Sequence, residues 1–450
     1  METPETPNHV GFFQSNTARL IMVGLLTFAL LIPLLFVQNL IEERSQRQKE
    51  VISETSGKWG ESVYFYGPIV KVPYKAFSEI VTVDEKTKVA TTQKSFVTDY
   101  AYFFPETLKN QSKVTTTTLN RSTYESTVFT ANMAFSGHYG APDFSPKNIA
   151  DTDIEWGKAT ILIQTTNLKS IRNEVKINLG GKMHTFEPVY NSENDSIQAL
   201  ETGFFDASVL KNTGNLPFKF DIVYNGSQQI KIVPIGKTTE AHMTSNWPSP
   251  SFTGNFLPGD ATKKITDQGF SADWKVLHLN RAFGQQAFEV LPNLAQYAFG
   301  VDFIIPVNQY QQNDRAAKYG FLVIGLTFLI FFLIQVISKV RIHIFQYTMI
   351  GLALVMFYTL LISITEHSSF GQAYLIAGTS VVLLISLYSV SILKNYKFPL
   401  FIAASLSVLY TFIYVIIQLE DFALLFGSIG LFLILAAVMY FSRKIDWNKS

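Results

Sequence analysis

Six long apolar runs, separated by polar segments, lie near the start and in the last third of the chain. Each holds about 20 mostly apolar residues, the number that a helix needs to cross a hydrocarbon core about 30 Å thick. No small-x-small cleavage pattern follows the first run, so we expect it to remain as an anchor. The pattern predicts one N-terminal transmembrane helix and a C-terminal bundle of five, at residues 20–41, 319–337, 347–364, 373–393, 400–419 and 422–441.

The long segment between the first two runs, residues 42–318, has a different pattern. Short stretches rich in Val, Ile, Thr, Phe and Tyr alternate with polar positions, as at residues 113–119 and 126–135. Such alternation is typical of strands with one buried face. We therefore expect a large antiparallel, β-rich, sandwich-like domain, built either as one sandwich or as two lobes divided near residues 141–153.

Two local patterns predict finer features of this segment. Residues 42–58 are charged and poor in turn formers, so the first helix is expected to continue beyond the membrane. In residues 218–232, two alternating arms flank the dipeptide Asn225-Gly226, whose residues accept positive φ angles. This arrangement predicts a β-hairpin.

The composition fits a membrane protein with one large water-exposed part. The chain is 48% hydrophobic with a mean hydropathy of +0.18, too apolar for an ordinary soluble protein, yet it carries 36 basic and 35 acidic residues. Most of these charges fall within residues 42–318, so the predicted fold class is an α+β integral membrane protein. The net charge of +1 argues against a nucleic-acid partner, and the absence of cysteine removes disulfides and thiolate chemistry.

The short loops predict which way the helices point, because cytoplasmic loops collect Lys and Arg. The loop and tail residues with this bias are Lys339, Arg341, Lys394, Lys397, Arg443, Lys444 and Lys449. The alternate loops carry only Glu366, His367, Glu420 and Asp421 as ionisable residues. The first helix gives no direction by itself, with Arg19 before it and Arg44, Arg47 and Lys49 after it. An even number of spans returns the chain to its starting side, so we expect residues 1–19 and 442–450 in the cytoplasm and residues 42–318 outside it.

No motif in the sequence points to catalysis. The seven histidines lack metal-ligand spacing, and the chain has neither a G-x-S-x-G turn nor a cysteine nucleophile. We therefore expect no enzyme activity, no cofactor and no metal. The spans also lack ionisable residues at mid-membrane depth, which weakens the case for a proton- or ion-coupled transporter.

A candidate site lies at the predicted outer ends of the helices. Arg315 and Lys318 precede the second span, while Glu366 and His367 emerge at the same surface after the third. We predict that Glu366 pairs with Arg315 or Lys318 and couples the β domain to the bundle, with His367 tuning the contact near neutral pH. The alternative is an ordinary polar loop, since an exposed ion pair contributes only about 0–1 kcal/mol.

Three residues lie where the first helix leads into the first strands, namely Trp59, Pro68 and Tyr74. Pro68 fixes φ at this entry point, so a structural role is expected for all three. A place in a binding site is the alternative for Trp59 and Tyr74.

Short motifs along most of the chain carry a resemblance to a known family. They read Leu31-Ile32-Pro33-Leu34, Ile41-Glu42-Glu43-Arg44, Lys58-Trp59-Gly60, Gly67-Pro68, Pro250-Ser251-Phe252-Thr253-Gly254, Leu279-Asn280-Arg281, Phe299-Gly300-Val301, Pro306-Val307-Asn308-Gln309-Tyr310, Lys318-Tyr319-Gly320 and Glu366-His367. Together they resemble the CreD family of bacterial inner-membrane proteins. The resemblance implies an inner-membrane location and a role in cell-envelope integrity, typically under two-component control and associated with the β-lactam response. It implies the lipid bilayer and an envelope protein or envelope component as partners, and it supplies no catalytic residues.

Three kinds of function follow from these patterns. The leading hypothesis is a non-enzymatic envelope protein whose β domain binds a partner or an envelope component. The second is a transporter or lipid-handling protein, which a cavity lined by Gln335, Gln418 and the tyrosines of the spans would favour. The third is a membrane-anchored enzyme, which convergence of Glu366 and His367 with Arg281 or Arg315 in a pocket would favour.

Overall fold

The structure is a computed structural model that describes residues 16–83, 90–121, 124–189, 198–303, 309–338, 340, 342–393, 396–419 and 422–443. The helices in this part of the chain are α1 (Asn16–Trp59), α2 (Ser208–Thr213), α3 (Gln309–Lys318), α4 (Gly320–Ser338), α5 (Ile344–Thr365), α6 (Phe370–Leu393), α7 (Lys397–Gln418) and α8 (Ala423–Ser442). The strands are β1 (Val63–Val83), β2 (Ala90–Phe103), β3 (Thr107–Arg121), β4 (Tyr124–Tyr139), β5 (Thr160–Thr165), β6 (Lys176–Leu179), β7 (Lys182–Val189), β8 (Gln198–Thr202), β9 (Leu216–Ser227), β10 (Gln229–Ile232), β11 (Thr238–Ser245), β12 (Ser251–Gly254), β13 (Lys264–Thr266), β14 (Gly269–Leu277), β15 (Gln286–Phe288) and β16 (Phe299–Asp302).

The chain divides into two compact units. The helix unit takes in Met1–Glu50 and Val307–Ser450, and the β unit takes in Val51–Pro306. The division falls inside α1, whose last residues belong to the β unit.

Seven of the loop and tail charges used to predict orientation lie outside the described residues: Lys339, Arg341, Lys394, Glu420, Asp421, Lys444 and Lys449.

The predicted spans coincide with helices α1 and α4 to α8. Five segments in the described residues are long and apolar enough to cross a membrane: Ala18–Trp59, Gln309–Ile337, Ile344–Thr365, Phe370–Leu393 and Lys397–Gln418. In α8 the corresponding apolar stretch, Leu424–Tyr440, is shorter. The structure also confirms that the first helix continues through residues 42–58, because α1 ends at Trp59.

One face of α1 is buried in the helix unit. Its stripe includes Leu30, Leu34 and Ile41, each no more than 4% exposed. The stripe meets Gly351 of α5 and Gly320 of α4, where an added Cβ would collide with the Leu30 and Leu34 side chains. Small residues at such contacts let helices approach closely and gain packing energy in a membrane. The N-terminal helix is therefore a packed member of this unit.

The strands form one hydrogen-bonded sheet in the order β12-β16-β10-β1-β5-β8-β7-β6-β9-β4-β3-β11-β14-β13, with β2 paired to β1 and to β15. The predicted strands at residues 113–119 and 126–135 are confirmed within β3 and β4. The described residues of this unit share a single hydrophobic core, in which Phe135 stacks on Phe65 and Phe220 with ring centroids 4.3 and 4.9 Å away. A continuous core favours one lobe over two.

The predicted hairpin at Asn225-Gly226 is wrong. Both residues lie inside β9, which pairs with β4 and β6, whereas β10 pairs with β1 and β16. The chain changes direction at Gln228, whose φ is 64°. A Cβ on Gly226 would collide with the ring of Phe129. The glycine therefore permits close packing of β9 against the core, and it does not form a turn.

The prediction of a wholly antiparallel sheet is also wrong in two places, because β1 pairs with β10 and β3 with β11 in parallel. Parallel neighbours need a long connection, and many elements separate the two strands of each pair along the sequence. The local alternation of apolar and polar residues reports which face is buried. It carries no information about which distant strand becomes the neighbour.

Candidate functional site

Helices α1 and α3 are the two elements of the helix unit next to the β unit in sequence. α1 continues into the β unit, and α3 follows it after residues 304–308, which lie outside the described part. Short connections join α4 to α5, α5 to α6 and α6 to α7, so these neighbours run antiparallel. The start of α4, the end of α5, the start of α6 and the end of α7 consequently lie at one end of the helix unit, and α3 leads into α4 there.

A polar cluster, made of Gln38, Arg44, Asn313, Arg315 and Glu366, occupies this end. Its ion pair joins Arg44 Nε to Glu366 Oε1 at 3.6 Å, with the two side chains 45% and 21% exposed. Glu366 follows directly on α5, and its backbone N–H donates to the Ile362 carbonyl at 3.2 Å. The carboxylate is thus presented by the end of a helix. The pair fastens α1 to the connection between α5 and α6.

Two further hydrogen bonds join the same elements. The Gln38 amide donates to the Ala317 carbonyl at 3.3 Å, which links α1 to α3. The Arg315 guanidinium donates to the Ile417 carbonyl at 3.5 Å, which links α3 to the end of α7. Carbonyls in the last turn of a helix lack helical partners, so they accept well from a cation. Both α1 and α3 are therefore bound to the bundle by polar contacts.

Helix α3 buries polar side chains to an unusual degree for a helix among apolar neighbours. Asn313 is 1% exposed; its amide nitrogen donates to the Gln309 carbonyl at 3.0 Å, while its Oδ1 has no partner among the described residues. Gln312 on the same helix is 9% exposed. Burying an unpaired polar atom costs about 1–3 kcal/mol, so Asn313 is a candidate functional residue.

The structure gives the predicted site residues different partners from those expected. Glu366 pairs with Arg44, while Lys318 pairs with Asp314 on its own helix at 2.7 Å. A lysine four residues after an aspartate lies on the same helix face, which explains that local choice. His367 is exposed. Within the described residues no ion pair joins Glu366 to Arg315 or Lys318, and coupling between the two units stays a prediction.

Sequence reasoning missed Arg44 as a member of the site, although a signal was present. Arg44 follows Ile41 by three positions, so it continues the buried stripe of α1 towards the bundle. Because Arg44 also follows the first span, it was interpreted only as a flanking charge, and its place on the buried face of α1 was missed. Asn313 gave no comparable signal, because its burial depends on how α3 packs against α5, α6 and α7.

Two of the candidate residues in the β unit lie in packed surroundings. Trp59 donates its indole N–H to the Phe129 carbonyl at 3.3 Å. Tyr74 is 3% exposed, lies edge-on to Phe144 and Phe288, and burial raises its pKa to about 12. Tyr74 is therefore part of the core of the unit, whereas Trp59 is half-buried and held by its hydrogen bond to β4.

Arg281 is also buried in the β unit, at 7% exposed. Its guanidinium donates to the carbonyls of Ile235 and Gly236 at 3.2 and 3.1 Å and to the Gln285 side chain, and it stacks 3.9 Å over the ring of Phe283. Burial lowers its pKa to about 10, so it stays charged near neutral pH. No carboxylate of the described residues pairs with it, and its charge is solvated by main-chain dipoles.

The two glutamines named for a transport path do not come together. Gln335 is buried near the end of α4 and accepts from the Tyr347 hydroxyl at 3.0 Å, whereas Gln418 is exposed at the end of α7. The ends of α4 and α7 lie at opposite ends of the unit. Among the described residues, no group of three His, Asp or Glu side chains is placed to hold a metal ion.

Comparison with known proteins identifies the family. The family described as Inner membrane protein CreD matches residues 15–448. The chain belongs to the CreD family. Inner membrane protein CreD of Escherichia coli (strain K12) is 28% identical over 425 residues, which cover 93% of this CreD-family chain and 90% of that protein. Among solved structures, the M1 zinc metallopeptidase from Deinococcus radiodurans gives a TM-score of 0.22 at 8% identity, covering 45% of this chain and 42% of that one.

Membership in an inner-membrane family explains the exposed apolar side chains of the helix unit. On α8, Leu424, Phe432 and Met439 are 87%, 70% and 65% exposed, and on α1 Phe28 is 72% exposed. Apolar side chains facing outward on long apolar helices contact lipid, since water is excluded from the hydrocarbon core. The bilayer is therefore a partner of this CreD-family chain.

Proposed function

We propose that the protein maintains the cell envelope from the inner membrane without catalysing a reaction. Its β unit lies outside the cytoplasm and binds an envelope component, and the polar cluster passes the state of that unit to the helices. The observation that carries this proposal is the polar attachment of both α1 and α3 to the bundle, through Arg44, Gln38 and Arg315.

The chemistry of the polar cluster suits a relay, by which we mean the transmission of a change in the β unit to the helices. An ion pair as exposed as that of Arg44 and Glu366 contributes about 0–1 kcal/mol, so it forms and breaks without unfolding the bundle. A contact of that strength lets two arrangements of the helices lie close in free energy, and a ligand that favours one of them shifts the population. Family membership and the name of the Escherichia coli relative support the inner-membrane setting.

The orientation has a direct test, because the natural chain has no cysteine. A cysteine introduced at Lys264, which is exposed on β13, should react with a membrane-impermeant thiol reagent in intact spheroplasts. A cysteine at Lys444 should react only after the membrane is opened, because the Lys and Arg bias of the loops favours a cytoplasmic tail. Reaction of both positions in intact spheroplasts would refute the proposed topology.

The relay predicts a charge-swap result in cells that lack the endogenous protein. Glu366→Arg and Arg44→Glu should each abolish protection against envelope stress, because each places like charges together. The double variant Arg44→Glu with Glu366→Arg should restore protection, because it re-forms the pair. The measurement is survival on a detergent or a β-lactam, alongside immunoblots of protein abundance.

The matched control reverses a charge outside the cluster. Lys318→Glu breaks the pair with Asp314 within α3 and should leave survival nearly unchanged. If Glu366→Arg and Arg44→Glu both give normal survival at normal protein abundance, the proposed relay is refuted. Failure of the double variant to recover would show that the two charges act separately.

A further inference from the structure

The hairpin of β1 and β2 extends beyond the rest of the sheet of the β unit. β5 pairs with β1 only as far as Lys71, and β15 pairs with β2 only at residues 101–103. Past these points Ala76–Val83 pairs with Ala90–Val97, and in the described part of the chain no third strand pairs with either segment. We call this two-stranded extension the β ribbon.

The outer edge of β2 carries main-chain groups that no described strand uses. Where β15 lies on this edge, the Glu289 N–H donates to the Tyr100 carbonyl at 2.8 Å. The main-chain groups of alternate residues in a strand point to the same edge. Those of Lys94, Phe96 and Thr98 therefore point to this edge too, beyond the end of β15. A strand added there would continue the line of β15.

Length sets this edge apart from the other edges of the sheet. β12, β13 and β15 have four, three and three residues, whereas β2 has 14. Folded proteins keep exposed edges short or cover them, because a long free edge pairs readily with a strand of another chain. The free edge of β2 is therefore available to an extended polypeptide.

Two exposed phenylalanines lie beside this free edge. Phe77 and Phe96 are direct cross-strand neighbours, are 60% and 64% exposed, and have ring centroids 4.9 Å apart. A side chain directly opposite Phe96 on an added strand would have its Cβ atom only about 4.5–5.5 Å away. An apolar side chain at that position would cover the Phe96 ring. The edge therefore favours a strand with an apolar residue opposite Phe96.

A lipid surface fits the β ribbon less well than a strand does. Residues 84–89 join the two strands and lie outside the described part, and their sequence contains four charged residues. Charges at the end of a hairpin oppose its insertion into hydrocarbon. Hydrocarbon also offers no partners to the N–H and C=O groups of a free edge.

A second copy of the chain supplies a matching strand. In an antiparallel pair of two β2 strands centred on Phe96, the two Phe96 residues are opposite each other, and each Lys94 is opposite Thr98 of the second copy. No two like charges are then opposed. A pair centred on Lys94 would oppose two cations, and one centred on Thr98 would run into β15. The register centred on Phe96 therefore fits best.

This register also covers the exposed rings. Phe77 and Phe96 of both copies form one row of four rings, in which neighbouring rings can pack against each other. A two-fold pair closes on itself, so neither copy keeps this edge free for a third chain.

We propose that β2 pairs through its outer edge with β2 of a second copy, which joins the sheets of two β units into one. The inference goes beyond the proposed function and does not depend on it.

Disulfide formation in native membranes tests the pairing, since the natural chain has no cysteine. The double variant Lys94→Cys with Thr98→Cys should become a covalent dimer after mild oxidation, because opposed residues have Cα atoms about 5.5 Å apart. Each single variant should give several-fold less dimer, since its two cysteines lie about 14 Å apart across the pair. Positions 94 and 98 of one copy are about 13 Å apart, so no disulfide closes within a chain.

A further substitution in the double-cysteine variant tests the centre of the register. Adding Phe96→Asp should remove most of the dimer, because it opposes two carboxylates and removes the central rings. Protein abundance should stay unchanged, since Phe96 is exposed in the single copy. The matched control adds Phe204→Asp, at a phenylalanine that is 68% exposed on the β unit outside the β ribbon, and should leave the dimer intact.

Three outcomes would overturn the proposal: equal dimer yields from the single and double variants, no dimer although both cysteines react with a maleimide, or equal yields after Phe96→Asp and Phe204→Asp. The charge-swap survival test does not involve this edge, so this proposal and the relay can each fail alone.

Discussion

Gly300→Ala is expected to prevent the β unit from folding. Gly300 lies in β16 between β10 and β12, where its Cα opposes Lys231 and Thr253. An added Cβ would fall within contact distance of the Ile230 carbonyl and the Lys231 Cα, which are backbone atoms that no rotamer change can move. Separating the strands would lose ladder hydrogen bonds and core contacts, at a cost of about 3 kcal/mol or more. Immunoblots of membrane fractions should show little protein.

Gly203→Ala is the matched control, because a Cβ there meets no atom within 4 Å. Its abundance should equal that of the wild type. Wild-type abundance and protease resistance of Gly300→Ala would show that β10 and β16 do not pack as described.

Arg281→Met should strongly destabilise the β unit. The substitution keeps an unbranched apolar stem but removes the donors to the carbonyls of Ile235 and Gly236 and to Gln285. The Gln285 oxygen is left without a donor, which costs about 1–3 kcal/mol. The two carbonyls keep bonds from Gln285 Nε2 and Thr239 Oγ1 but each loses a charge-assisted bond, so a total near 3 kcal/mol or more is expected. In a unit of this size, that loss lowers the thermal unfolding temperature by roughly 6–12 °C. Differential scanning fluorimetry of the purified protein measures the change.

Arg281→Lys keeps a positive charge but loses the planar fork of donors. Its thermal unfolding temperature should therefore lie between those of the wild type and Arg281→Met. The opposite pattern, an unchanged unfolding temperature with lost function in both variants, would place Arg281 in a ligand site.

The membrane spans could be predicted from sequence because their signal is local. A run of about 20 apolar residues reports its own helix whatever surrounds it. The strands at residues 113–119 and 126–135 were predictable for the same reason, since alternation reports burial of one face. The partners of a strand depend on residues far away, which is why β10 was wrongly paired with β9.

The functional regions were harder to predict, since each depends on packing. Glu366 could be singled out as an ionisable residue in an apolar region, but its partner Arg44 lies more than 300 positions earlier on another helix.

The most direct measurement of the central claim is proximity of Arg44 and Glu366 in native membranes. In the cysteine-free chain, cysteines at positions 44 and 366 should be joined in high yield by a short bifunctional thiol reagent, as read by mass spectrometry of the linked peptides. The pair at positions 46 and 366 should give little product, because Gln46 is exposed and lies about 200° further around α1. Equal yields from the two pairs, or no link at 44 and 366 when each single cysteine reacts, would contradict the attachment of α1 to the bundle and with it the relay.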